Sequence, residues 1–312
     1  MDRRWEGQSG ANETRSAPPI YRGFRWTYRG RQCRVRLRIP MWHYAYYHGR
    51  PRVSDYSVYV VDPFADDILT GLATKIDEYA QKNRLSDNER IAFIAAFVQQ
   101  LEYVPDDVST PYEHYPRYPI ETLVHRGGDC EDVSILLAAL LRRLGYDAVL
   151  INPPEHIQVG VGRDPRHPGT YYKWNKKRYY VLEATGEDWT VGETPPEFIE
   201  TSAKVIPLSK TPVLVHRWSA RVTDEDDIIG QLAVTNLGDR RASDITGDVE
   251  FRTSDGVTAG SWSGSIAELN AGRTHVFELS VQLTHPDPIR GKARVTVLGE
   301  SWDQSSSLVT VA

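Results

Sequence analysis

Cys130 stands in the stretch Gly127-Gly128-Asp129-Cys130-Glu131-Asp132, directly ahead of an apolar run through Val133, Ile135, Leu136, Leu137, Leu140, Leu141 and Leu144 that Gly145 closes. The pattern predicts a buried helix with Cys130 in its first turn. A thiol at that place faces unpaired backbone N–H groups and the positive end of the helix dipole, so a favoured thiolate is expected. A structural cysteine would sit more naturally mid-helix, among the leucines. Further along, His156 begins the strand-like Ile157-Gln158-Val159-Gly160-Val161, and Glu183 ends the strand-like run from Arg178 to Leu182. Antiparallel neighbours can set His156 and Glu183 side by side, opposite the helix tip. Such a set supplies a nucleophile, its base and the group that orients the base, and the chemistry it predicts is attack on an amide or ester carbonyl through a covalent intermediate. The Cys130 backbone N–H is the expected first donor to the oxyanion. Tyr118 is the candidate for the second, with Tyr115 and Gln100 as rivals.

The other polar residues near this stretch have simpler readings. Asp129, Glu131 and Asp132 fit the acidic preference of a first helical turn, and no second Cys or His lies at zinc-ligand spacing, so neither a metal nor a cofactor is expected. Asp132 is also placed to hydrogen-bond the preceding loop and hold the helix start. His114 and His125 read as structural histidines, and His43 and His48 as surface or packing ones. Trp174 and Trp189 could line a substrate groove or pack. The two glycines let the backbone turn sharply and let a substrate chain come close.

The elements that must position these groups are legible in the periodicities. Residues 1–18 have no apolar period and are expected to form a disordered tail. In Cys33-Arg34-Val35-Arg36-Leu37-Arg38-Ile39, alternation puts Cys33 and the aliphatic residues on one strand face and the arginines on a solvated one, which makes Cys33 a buried structural thiol. An aromatic stretch, Trp42 to Tyr47, closes at the turn-like His48-Gly49-Arg50-Pro51. Asp62-Pro63 opens an amphipathic helix through Ile68, Leu72 and Ile76, and a capping box at Ser86 and Glu89 opens another, which ends before Pro105. Pro111 to Pro119 is expected to be an extended loop held by aromatic contacts. After about residue 207 helical patterns give way to seven short alternating runs, around 213–222, 228–235, 247–253, 260–266, 275–283, 292–298 and 306–311, which suit an immunoglobulin-like β-sandwich without an inter-sheet disulfide.

Taken together, Tyr118-Pro119-Ile120-Glu121-Thr122-Leu123, the Gly-Asp-Cys-Glu-Asp box, Pro154-Glu155-His156 and Leu182-Glu183-Ala184-Thr185 resemble the transglutaminase-like superfamily of thiol enzymes, over roughly Tyr103 to Gly192. The resemblance implies an α+β, transglutaminase-like (papain-like) core of helices packed on an antiparallel sheet at 19–207, with the sandwich at 208–312. It carries the family's Cys, His and acidic triad onto Cys130, His156 and Glu183. Two departures stand out: Glu183 lies where many members have Asp, and Glu155 lies where a small residue is expected. The implied activity is acyl transfer on protein or peptide amide bonds through a thioester. Hydrolysis, as a cysteine peptidase or amidase, is common among microbial members; protein cross-linking by a lysine amine, and a non-catalytic scaffold that keeps the fold, stay open.

Composition bounds the partners. With 312 residues, 25% of them charged, and a net charge of -5, the chain has no electrostatic reason to take nucleic acid as a main partner. No run approaches the length of a membrane-spanning helix, and no apolar leader follows Arg3-Arg4. A free thiol and the absence of a leader point to the cytoplasm, with an extracellular setting open if a leader was removed. The sandwich carries no reactive grouping and reads as a module that binds a protein or surface, spaces or orients.

Overall fold

Alternation in the first hairpin is obeyed residue by residue: in β2 (Arg31–Ile39) Cys33, Val35, Leu37 and Ile39 are buried while the arginines between them face out, and β2 pairs antiparallel with β1 (Ile20–Tyr28). The protein is described here from a computed structural model, over residues 17–109, 114–209, 211–223, 227–284, 290–308 and 310–311. The expected disordered tail lies outside the described residues except for its last two positions. So do Pro111 to Glu113, within the expected extended loop, and the turn region at His285 and Pro286.

The chain divides into two compact units. One comprises residues 19–40 and 55–209; the other comprises residues 41–54 and the described residues from 211 onward. Helix α1 (Met41–His48) therefore belongs with the C-terminal strands, although it follows β2 directly.

In the first unit, α2 (Tyr56–Val61) is capped by Asp55, and Asp62 caps a 3-10 turn, Pro63–Ala65, that leads into α3 (Asp66–Lys82). The capping box at Ser86 and Glu89 forms as expected, and α4 (Asp87–Gln99) follows it. Helix α5 (Pro119–His125) starts at Tyr118, and α6 (Cys130–Arg143) starts at Asp129, with Gly145 in the left-handed region just past its end. Residues Glu131 to Leu141 of α6 are all buried, which fits a helix surrounded by α2, α3, α4 and α5 and laid on a sheet.

That sheet is antiparallel, with strands in the order β5-β6-β4-β3-β7: β3 (Ala148–Asn152), β4 (Gln158–Gly162), β5 (Tyr171–Trp174), β6 (Lys177–Leu182) and β7 (Lys204–Pro207). Val149, Ile151, Tyr179 and Val181 form a cluster on one face, covered by Tyr172, Trp174, Ala203 and Val205. Alternation turns Leu150, Val159 and Leu182 to the other face, where α6 packs against β3 and β4. Both faces are covered, so the strands read as apolar runs rather than as a clean alternation.

The second unit holds two four-stranded sheets. One runs β12-β9-β8-β15 and the other β11-β10-β13-β14, built from β8 (Leu214–Val222), β9 (Asp227–Asn236), β10 (Ala242–Arg252), β11 (Thr258–Leu269), β12 (Thr274–Gln282), β13 (Arg290–Val297), β14 (Glu300–Leu308) and β15 (Thr310–Val311). All pairings are antiparallel except β8 with β15. The architecture is thus mixed helix and sheet, with several antiparallel sheets. The aromatic stretch from Trp42 forms a helix, with Tyr46 and Tyr47 buried. One reading needs correction: the strand expected at 306–311 begins at Glu300, ahead of 306, where polar residues such as Asp303 interrupt the apolar alternation.

Those polar residues form one network. Asp303 accepts from the His216 Nδ1 at 2.8 Å and from the His216 backbone N–H at 2.9 Å, and the His216 Nε2 lies 2.7 Å from the Ser305 hydroxyl, which accepts from the Trp218 indole at 3.0 Å. Arg50, just past α1, donates to the carbonyls of Leu214 (3.1 Å) and Trp302 (3.2 Å) and to the Tyr46 hydroxyl (3.0 Å), with its Nε 4.0 Å from Asp303. Burial works to raise the Asp303 carboxyl, but His216 and Arg50 hold it below its ordinary range.

Candidate active site

Helix α6 owes its start to a closed set of polar bonds. Asp129 is the N-cap: its carboxylate accepts from the Asp132 N–H, and the Asp132 side chain reaches back to the Asp129 N–H, completing a capping box. Asp132 also accepts from the Arg117 backbone N–H at 2.6 Å and pairs with the Arg117 guanidinium, which reaches Asp106 as well. Burial works against the Arg117 charge, but Asp132 and Asp106 outweigh it and its guanidinium titrates above its ordinary value. The loop before α5 is thereby fastened to the tip of α6.

The two glycines ahead of the cap serve this packing. A Cβ on Gly127 would overlap the Glu102 carbonyl, and one on Gly128 the Asp132 side chain. Close approach within the chain thus requires them, through the pairing of Glu102–Tyr103 with Gly127–Gly128. Neither has a left-handed φ.

Cys130 is the first residue of α6 and is partly buried. Ser134, one turn further along α6, donates to the Ile157 carbonyl at 2.8 Å, which ties the residue after His156 to the helix that carries the thiol. His156 Nε2 sits 2.9 Å from Glu183 Oε2, at the end of β6, with the imidazole stacked on Phe198 at 4.7 Å and 7° between planes. With Nε2–H on the carboxylate, the neutral imidazole keeps its lone pair on Nδ1.

Glu183 is fully buried and saturated. Its Oε2 also accepts from Gln158 at 2.7 Å, and its Oε1 accepts from the Thr185 hydroxyl and from the N–H groups of Ala184 and Thr185. Burial works to raise this carboxyl, but the bonds to His156 and Thr185 hold it below its ordinary range. Gln99 donates to the Glu183 carbonyl at 2.8 Å and Thr194 accepts from Gln158 at 2.8 Å, so the strand end is held from both sides. Glu155 has a φ of 56°, in the left-handed region that favours glycine.

The thiol itself departs from expectation. Burial, and next the carboxylate of Glu131, push its titration up rather than down. Glu131 Oε2 lies 3.1 Å from Sγ and accepts a hydrogen bond from the thiol. Glu131 Oε1 is 2.9 Å from His114 Nδ1, and His114 Nε2 is 2.8 Å from the Tyr56 hydroxyl. His114 is thus tied to the thiol through Glu131, a link that its sequence position does not reveal. Asp129 is pushed up to about 9, by burial first and then by Asp132, Glu131 and Asp106.

Of the oxyanion candidates, Tyr118 is fully buried, with its ring against Tyr59 at 4.5 Å and its N–H on Glu121. Tyr115 lies 3.5 Å from Glu121, and Gln100 bonds the Thr27 backbone at both ends of its amide. Tyr56 and Tyr103, raised chiefly by burial, also sense the charge of Cys130. Ligand atoms of Asp106, His114 and Glu131 come within 4.8 Å of one another, as do those of Asp106, Asp129 and Asp132. In the second group Arg117 already supplies a cation. Among the described residues, no helix is long and apolar enough to cross a membrane.

The chain matches no protein-family model and none of the curated proteins. Among solved structures, red sea bream transglutaminase aligns over 97% of this chain and 63% of its own, at 11% identity and a TM-score of 0.28. The CARDB domain of the PF1109 protein from Pyrococcus furiosus aligns over 33% of this chain and 94% of its own (19% identity, TM-score 0.26). A β-glucuronidase of glycoside hydrolase family 2 aligns over 32% of this chain, which spans 11% of that enzyme (12% identity, TM-score 0.27). Scores at this level support no inference about activity.

Proposed function

We propose that the protein is a thiol-dependent acyl-transfer enzyme acting on protein or peptide amide bonds, with a transglutaminase-like core and an immunoglobulin-like sandwich that binds a protein or surface. The observation that carries the reading is the imidazole of His156, held by Glu183 at 2.9 Å, next to Ile157, whose carbonyl Ser134 bonds from the same helix that begins with Cys130. In the proposed reaction His156 Nδ1 takes the Cys130 proton and the sulfur pair attacks the substrate carbonyl. The oxyanion is met by the Cys130 backbone N–H and, as the second donor, the Tyr118 hydroxyl. The tetrahedral adduct then expels an amine, protonated from His156, and leaves a thioester. Water, activated by the same imidazole, discharges it and returns the thiol, which makes the protein a cysteine peptidase or amidase; discharge by a lysine amine would make it a cross-linking transglutaminase. Glu183 holds the tautomer and stabilises the imidazolium. No step calls on a metal, a cofactor or nucleic acid, and a free thiol suits the cytoplasm.

The test is to incubate the wild type and Cys130→Ala with casein and a primary-amine probe. Fragments without amine incorporation support hydrolysis, and incorporation without fragments supports transfer. Either activity should vanish in Cys130→Ala and fall about a hundredfold or more in Glu183→Gln, which keeps a hydrogen bond but loses the charge. Activity in Cys130→Ala equal to wild type would remove this reading.

A further inference from the structure

The carboxylate of Glu131 is turned onto the thiol that precedes it. An acid whose whole purpose was to complement the helix dipole would engage backbone N–H groups, as Asp129 and Asp132 do. Glu131 instead bridges Cys130 Sγ, at 3.1 Å from Oε2, and His114 Nδ1, at 2.9 Å from Oε1, and the chain ends 2.8 Å further on at Tyr56. The Glu131 side chain is 7% exposed and that of His114 is 60% exposed, so the relay runs from the sulfur to the surface. Its sign is adverse to nucleophilicity: a carboxylate about 3 Å from a sulfur opposes the thiolate and competes with His156 for the proton.

We propose that Glu131 is a latch on the nucleophile: in the resting protein its carboxylate holds the Cys130 proton, His114 and Tyr56 hold the carboxylate, and a positive charge brought to the exposed end of this relay frees the thiol for His156. The inference rests on the reading of Cys130 as nucleophile and adds regulation to that site. On release the S–H bond breaks, the proton passes to His156 Nδ1 and the electron pair stays on sulfur; Glu131 keeps its own protonation state. The charge that opens the latch is a cationic group of the substrate that pairs with Glu131 at the exposed end of the relay. The other groups gathered here are Asp129 and Asp132 on α6, Asp106 and Tyr103 ahead of α5, and Arg117. The Arg117 guanidinium is committed to Asp132 and Asp106, which leaves exposed His114 as the end of the relay that a cation from solution can reach.

The experiment is the pH profile of Cys130 alkylation by iodoacetamide in the full chain, read by peptide mass spectrometry so that Cys33 is scored separately. Glu131→Gln is expected to lower the midpoint by about one pH unit or more and to speed labelling at pH 7 about tenfold. His114→Lys, a surface change that does not endanger folding, should shift the midpoint down, and His114→Glu should shift it up. An unmoved midpoint in Glu131→Gln, or in both His114 variants should Glu131→Gln fail to fold, overturns the latch. His156→Ala separates the two readings. Slower labelling there with unmoved latch variants leaves the Cys–His pair standing without a latch. Shifted latch variants with no effect of His156→Ala leave the latch standing and remove His156 as the base.

Discussion

Asp129 shows how a capping residue can work against the fold's tolerance of alkali. Its carboxyl titrates at about 9 in the folded chain, against about 3.9 for an unperturbed aspartate, because burial and the neighbouring Asp132 and Glu131 carboxylates disfavour its charge. Between those two values the folded state holds a proton that the unfolded chain has released, so this group's contribution to stability falls as pH rises across the window and levels off above about 9. Asparagine caps a helix as well as aspartate does and carries no charge. Asp129→Asn should therefore be more stable than wild type by about 1 kcal/mol or more at pH 8, with a smaller gain at pH 5, in urea unfolding at the two values. Equal slopes against pH for the two proteins would show that this carboxyl does not titrate between them. Glu183 has the opposite sign: its bonds hold it below its ordinary range, so its share of stability is complete at neutral pH and is lost only as acid protonates it in the folded state.

Among the elements, the tip of α6 depends most on close approach. Gly128→Ala would drive a methyl group into the Asp132 side chain, loosening both the capping box and the pair with Arg117. A loss of about 2 to 3 kcal/mol in chemical unfolding is expected, because the Asp132 carboxylate is fully buried and has no water to turn to. A change below about 0.5 kcal/mol would mean that the loop moves aside freely. This element was legible in the sequence: an apolar run, an acidic first turn and a closing Gly145 are strong signals. So were the strands of both units, through alternation or continuous apolar runs. The direction of the thiol's shift was not legible, because it depends on how far the sulfur is buried and on which way one carboxylate turns. Gln158 and Phe198 were not legible as neighbours of Glu183 and His156 either, since a glutamine in a strand and a phenylalanine in a proline-rich turn carry no signal of their own. Strand β14 was misplaced because its inward positions include Asp303 and Ser305, which break the apolar rhythm and find their partners in a different strand.

For the molecule as a whole, the boundary read from texture near residue 207 describes the sequence, whereas residues 41–54 pack as part of the second unit. Arg50 contributes to this binding from a buried position, alongside Ser54 on Glu300 and Gln304 on the Gly49 carbonyl. Arg50→Ala removes donors to two buried carbonyls and the cation beside buried Asp303. Removing one partner from such a set costs about 3 to 5 kcal/mol, and the loss should appear as a lowered melting temperature of the second unit, followed through the fluorescence of Trp218 and Trp302. An unchanged transition would mean that α1 is held by its aromatic face alone. Cutting the chain after Ser209 would not yield an independent C-terminal fragment, because the piece released would lack α1. There is also a consequence for biosynthesis. Arg50 leaves the ribosome 164 residues ahead of Leu214 and 252 ahead of Trp302, so α1 must wait, with its tyrosines uncovered, while the entire first unit is made. Strand β14, which carries Trp302, is made long after this helix, and a chain stalled before it would carry an α1 whose Arg50 has no Trp302 carbonyl to bond.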